Sequence, residues 1–135
     1  MKLVINANIL FSLAKKSSAT SGIVFNSNIK LFSPSFAIGE LSKYKSTIIR
    51  KFNLKENEFD SFIKKLKERI VFYELDFYKD EVKEIIPFIN DEKDVEYLAL
   101  SKKLNIPLWS NDRELKKQKI IPVFDTKEII ELLFS

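Results

Sequence analysis

Short apolar runs alternate along this chain with longer stretches in which apolar positions recur every three or four residues, a pattern that predicts strands separated by helices. Leu3 to Ile5, Lys30 to Ser33, Ile70 to Glu74, Pro107 to Trp109 and Ile121 to Phe124 are brief and little interrupted by polar residues. Strands buried on both faces of a parallel sheet have that character. Between them the period turns helical. Ala37, Leu41, Tyr44 and Ile48 define one face of a helix opening near Pro34 and carrying Glu40. Residues 55–69 set Phe59, Phe62, Ile63 and Leu66 against a face bearing Lys64, Lys65, Lys67 and Arg69, and residues 78–86, 92–104 and 127–134 complete the helical segments. The expected fold is α/β, a parallel sheet flanked by helices on both faces. The helix-rich insert between the second and third strands is expected to lie as an arm over the sheet edge, with Phe52, Leu54, Phe59 and Phe62 packing the core or serving an interface.

The 135 residues fit one domain, 1–135, with no linker or repeat to divide it. Composition narrows the chemistry sharply. The chain has no Cys and no His, so disulfides, thiol nucleophiles, imidazole bases and His or Cys zinc sites are all excluded. Hydrolysis would have to run on carboxylates, hydroxyls, Lys or a bound metal. With Gly22 and Gly39 the only glycines, neither a GxGxxG nor a GxxxxGK[ST] phosphate loop is present. No apolar run is long enough to span a membrane, and no secretory signal opens the chain, so a cytoplasmic location is expected. The net charge of +4 is compatible with binding nucleic acid and equally with ordinary solubility.

Four polar positions stand out against this frame. Asn6 ends the opening strand, where open α/β sheets present ligands, and Asn8 follows two residues later. Glu40 has Phe36, Ala37, Leu41 and Tyr44 as helical neighbours, which puts its carboxylate at the border of an apolar face. Asp94 lies one turn beyond Asp91 at a helix start and is drawn inward by Val95 and Leu98, while Asp112 closes the triplet Ser110-Asn111-Asp112 after the fourth strand. Each has a plain structural account. Asn6, Asn8, Asp91, Ser110, Asn111 and Asp112 are all good turn or N-cap residues, and Glu40 could be a solvated helix charge. Together they outline an acidic pocket that a cation would have to relieve.

In these motifs the chain resembles PIN-domain ribonucleases, and among them the VapC-type toxins of prokaryotic toxin-antitoxin pairs. The likeness rests on Asp91-Glu92-Lys93-Asp94-Val95-Glu96-Tyr97-Leu98-Ala99-Leu100 followed by Asn105-Ile106-Pro107-Leu108-Trp109-Ser110-Asn111-Asp112, with the opening strand and the Glu40 helix supplying the rest. The resemblance implies a Rossmann-like sheet, Mg2+ or Mn2+, endonucleolytic cleavage of RNA, a small antitoxin partner and a homodimer. Its acidic quartet falls on residue 6, Glu40, Asp94 and Asp112, with Asp91 as an outer ligand and Asn8, Ser110 and Asn111 as supporting groups. Lys43, Arg113 and Lys116 are candidates for holding the RNA backbone, against a solvated role for each.

The resemblance calls for aspartate at position 6, where this chain has Asn6. An amide keeps one coordinating oxygen and the shape but loses the charge, so metal affinity and catalysis should both fall. Two origins stay open: a deliberate Asp-to-Asn change that spares an expression host, or a natural chain that has lost activity and survives as a binding scaffold. A phosphatase with an Asp-x-Asp loop after its first strand is a weaker rival, because this chain offers Asn6 and Asn8 there.

Overall fold

The computed structural model describes residues 1–15, 18–26 and 28–134, the side chain of Asn26 excepted. Strands β1 (Lys2–Ile5), β2 (Lys30–Pro34), β3 (Ile70–Tyr73), β4 (Leu108–Trp109) and β5 (Val123–Phe124) form one sheet in the order β3-β2-β1-β4-β5, every pairing parallel. The central strand explains why. Leu3, Val4 and Ile5 are all fully buried, and since successive strand residues face opposite sides, both faces of the sheet must be covered. Among the described residues the α-helices are α1 (Ala7–Ser12), α2 (Ala19–Asn26), α3 (Phe36–Lys43), α4 (Lys45–Lys51), α5 (Glu56–Arg69), α6 (Leu75–Ile85), α7 (Glu92–Leu104), α8 (Arg113–Lys117) and α9 (Thr126–Phe134).

All five expected strands are present, within two residues at either end. The chain builds outward from β1 to β2 and β3, then returns to place β4 on the other side of β1. This reversal opens a crevice at the carboxyl ends of β1 and β4. Val4 pairs with Leu108 and Ile5 with Trp109, so Asn6 and Ser110 leave the sheet side by side. Helix α7 lies across β1, β2 and β4, burying Val95, Leu98, Ala99 and Leu100, and α6 packs on α7. The α7 helix stops at Asn105, whose φ of 58° is the left-handed conformation that asparagine tolerates better than most residues.

Three helical expectations change. The face through Ala37, Leu41, Tyr44 and Ile48 spans two helices, because Tyr44 takes φ −100° and ψ 20° between α3 and α4. Pro34 ends β2 instead of opening the helix, with Ser35 at the cap position. Helix α6 begins at Leu75, earlier than its apolar period suggests, and α2 is an element that the sequence pattern did not announce. In the insert, α5 packs against the edge strand β3, with Phe59 and Phe62 buried and Phe52 and Leu54 packed beside the core. Arg69 fastens the end of α5 to the chain entering β2, donating to the carbonyls of Val24, at 2.6 Å, and Ile29. Among the described residues no helix is long and apolar enough to cross a membrane.

Candidate active site

At the crevice beyond β1 and β4 lies a pocket of about 380 Å³ lined by Asn6, Asn8, Glu40, Asp91, Asp94 and Asp112. Phe11, Phe36, Tyr44, Lys93 and Tyr97 complete most of its wall. The residues come from five parts of the fold. Asn6 ends β1, Asn8 lies in α1, Glu40 sits in α3, Asp91 and Asp94 belong to the start of α7, and Asp112 opens α8 after β4.

Several of these side chains also hold local structure. Asn6 is 5% exposed; its Oδ1 accepts from the Ile9 amide at 3.2 Å, capping α1, while its Nδ2 donates to Ser110 Oγ at 2.8 Å. That second bond joins the ends of β1 and β4. Ser110 Oγ also accepts from the Asp112 amide at 3.1 Å, which fixes the turn into α8. Asp91 caps α7 through the Lys93 amide at 2.9 Å, and Asp112 caps α8 through the Glu114 amide at 2.8 Å. The capping account of these residues is therefore correct, and it coexists with their place in one pocket. Each capping carboxylate keeps a second oxygen free of the cap bond.

Electrostatics mark Asp94 most strongly. Burial, then the nearby Asp91 and Asp112 carboxylates, push its pKa up to about 6. Glu40 is treated differently: its Oε2 accepts from Lys93 Nζ at 3.2 Å, across a gap of 53 residues in sequence. The pocket thus sets four carboxylates against one ammonium, and that ammonium is drawn to Glu40. The bond to Glu40 in turn holds Lys93 above its ordinary pKa. Tyr97, buried beside them, has a hydroxyl without a hydrogen-bond partner of good geometry. Burial and then the Glu40 charge raise its pKa, with the Ala7 backbone amide acting the other way.

Among the described residues no three carboxylates approach closely enough to share an ion as the side chains lie. The donor set is nonetheless all oxygen, which suits a hard cation. Magnesium keeps several waters and needs only one or two direct carboxylates, so a wide acidic pocket fits it better than a tight cage.

The remaining expected residues are placed elsewhere. Asn111 is exposed and its Oδ1 accepts from the Thr126 amide at 2.8 Å, securing the start of α9. Lys43, Arg113 and Lys116 do not line the pocket. Lys116 bonds Asp125 at 2.9 Å and also Glu128. Lys43 lies over the Tyr44 ring at 5.8 Å from its centroid, and Arg113 is an exposed first residue of α8. Sequence reasoning missed Lys93 and Tyr97. The signal for Lys93 was its place between Asp91 and Asp94, while Tyr97 reads as an apolar-face residue until its hydroxyl is located.

The sequence matches the model of the PIN domain over residues 4–130, and the chain belongs to that family, whose members are generally nucleases. No curated protein matches it significantly. Among the solved structures that share its fold are the following two. VapBC2 from Rickettsia felis, solved bound to a DNA fragment from its promoter, aligns with a TM-score of 0.64 at 16% identity, over 93% of this chain and 98% of that one. PAE2754 from Pyrobaculum aerophilum aligns with a TM-score of 0.69 at 15% identity, over 98% of this chain and 89% of that one. The α/β PIN-like sheet expected from the sequence is the fold observed.

Proposed function

We propose that this protein is a metal-dependent endoribonuclease scaffold of the toxin class, with its catalytic pocket weakened by Asn6. The observation that carries the reading is the gathering of Glu40, Asp94 and Asp112, with Asp91 and Asn6, around one crevice at the carboxyl ends of β1 and β4. Glu40, Asp94 and Asp112 would hold Mg2+ or Mn2+, with Asp91 as an outer ligand. A bound ion of this kind lowers the pKa of an attacking water and stabilises charge on the phosphoryl group, which is how a chain without His can cut a phosphodiester. Asn6 contributes a neutral oxygen where the reaction calls for charge, and its amide nitrogen is spent on Ser110. Ser110 orders both Asn6 and the Asp112 turn, so it acts as a positioning residue. Asn8, exposed at the rim of the pocket, and Asn111, behind it, are supporting groups.

As a toxin the protein would act in the cytoplasm, be restrained by a small antitoxin protein and form a homodimer. Its family membership and the likeness to a VapBC2 chain support that assignment. A second reading, a non-catalytic scaffold that binds RNA or a partner, draws on three observations: the amide at position 6, the absence of a tight carboxylate trio among the described residues, and the Lys93 bond to Glu40.

The Asn6→Asp variant separates the two. On the endonuclease reading it cleaves labelled RNA in Mg2+ or Mn2+, stops in EDTA, and exceeds the parent chain by roughly a hundredfold or more, the scale of losing one preorganised electrostatic contact. An Asn6→Asp variant that folds normally and leaves RNA intact in both metals sinks the nuclease reading in favour of the scaffold.

A further inference from the structure

Next to the acidic pocket lies a second groove, of about 500 Å³, and the two share Asn8 and Phe11 in their walls. The sign of the charge inverts between them. No carboxylate lines the second groove, whereas Lys15 and Lys51 do. Both lysines are exposed, and neither has an acidic partner among the described residues. Lys45, Lys93, Lys102 and Lys116, by contrast, are all paired with acids.

The groove also has aromatic faces. Phe52, half-buried against the core, lies beneath Lys51, whose Nζ is 5.5 Å from the ring centroid. Phe11, at the partition between the two pockets, meets the Tyr44 ring at 5.8 Å. Unpaired cations beside flat apolar rings suit an anionic polymer with flat groups along it. A nucleic-acid strand is such a polymer. An acidic peptide would satisfy the lysines and leave the rings unused.

We propose that this groove is the track for single-stranded RNA adjoining the phosphate held in the acidic pocket. Lys15 and Lys51 neutralise phosphates there, and Phe52 and Phe11 receive base faces. The inference rests on the endonuclease reading for its direction, since a strand entering the acidic pocket passes Asn8 and Phe11 into the groove. The strand must be single, because base faces in a duplex are already stacked.

The test uses the chain as it exists, in EDTA, with a short labelled single-stranded RNA followed by fluorescence anisotropy. Lys15→Glu combined with Lys51→Glu should weaken binding by roughly tenfold or more and flatten the dependence on salt by about 1.4 in log-log slope, two phosphate contacts' worth. Lys64→Glu combined with Lys67→Glu makes the same charge change on exposed positions of α5 and should leave affinity within about twofold. Blunt duplex RNA should bind more weakly than the single strand. Equal losses in both double variants, parent-like binding by the Lys15 and Lys51 variant, or equal affinity for duplex would each overturn the groove. Cleavage in the Asn6→Asp background distinguishes its failure from that of the catalytic reading. If Asn6→Asp cuts RNA with a KM indifferent to Lys15 and Lys51, the groove fails and the nuclease stands. If it cuts nothing while groove-dependent binding persists, the nuclease fails and the groove stands.

Discussion

Asp94 shows most directly how the fold loads a single residue. Its carboxyl is half-buried beside Asp91 and Asp112, and its pKa moves from 3.8 to about 6. A raised carboxylate pKa means that the native state holds the proton more tightly than the unfolded chain. Below about pH 4 the group is protonated in both states and costs nothing. As pH rises through about 6 the charge appears in the native pocket, and stability falls over that interval. The full shift converts to roughly 3 kcal/mol, and solvent screening of a half-buried group reduces this to about 1–2 kcal/mol. In EDTA, Asp94→Asn should therefore stabilise the protein by that smaller amount near neutral pH and by almost nothing near pH 4. Urea unfolding at the two pH values reads the difference directly. An identical gain at both would mean that packing, not charge, governs the site.

At the scale of elements, the Lys93–Glu40 bond joins α7 to α3 across the acidic pocket. An ammonium on Glu40 competes with any cation that needs the same carboxylate. Lys93→Gln should accordingly tighten Mn2+ binding about two- to fivefold, the range expected for losing one exposed ionic competitor. Titration followed by the magnetic resonance of free Mn2+, in the parent and in the Asn6→Asp background, measures it. Unchanged or weaker affinity would remove Lys93 from competition with the ion. The bond was hard to read in sequence because it depends on how two helices meet, whereas the caps at Asp91 and Asp112 depend only on local order. The same distinction governs the helices. Tyr44 breaks the helical dihedrals between α3 and α4, yet its amide still bonds back to Glu40 and Leu41 and its carbonyl still accepts from Ile48. The apolar period consequently runs through the break unaltered. Helix α2 lacks a polar stripe because Thr20, Ser21, Ile23 and Val24 are all buried, so no amphipathic signal exists for it. Exposed Leu75 and Phe77 blurred the start of α6 in the opposite sense.

Across the whole molecule the sheet makes one object of residues far apart in sequence. The strands and their parallel pairing were legible because buried parallel strands need apolar residues on both faces, a density carried by Leu3, Val4, Ile5 and Leu108, whereas their order in the sheet came only with the structure. Pocket membership followed, since strand ends and helix starts fix where Asn6, Asp94 and Asp112 emerge. Side-chain pairing did not follow, and neither did the basic groove, which assembles from α1, the end of α4 and the separate residues Lys15, Ser18 and Phe52. Trp109 offers a test of how far this unity extends. It is the chain's single tryptophan, fully buried in β4, with Nε1 donating to Thr126 at 3.0 Å on α9. One core cluster runs from Leu3 through Leu66 and Leu98 to Ile129, taking in the insert, the sheet and the last helix. A core shared in that way should melt as a unit. Trp109 fluorescence and far-ultraviolet circular dichroism should give superimposable urea transitions, and Leu98→Ala should move both to lower urea together, a loss of stability of about 2–5 kcal/mol. If the helical signal were lost at higher urea than the tryptophan signal, the α3–α5 insert would be folding independently of the sheet, and the 135 residues would comprise more than one cooperative unit.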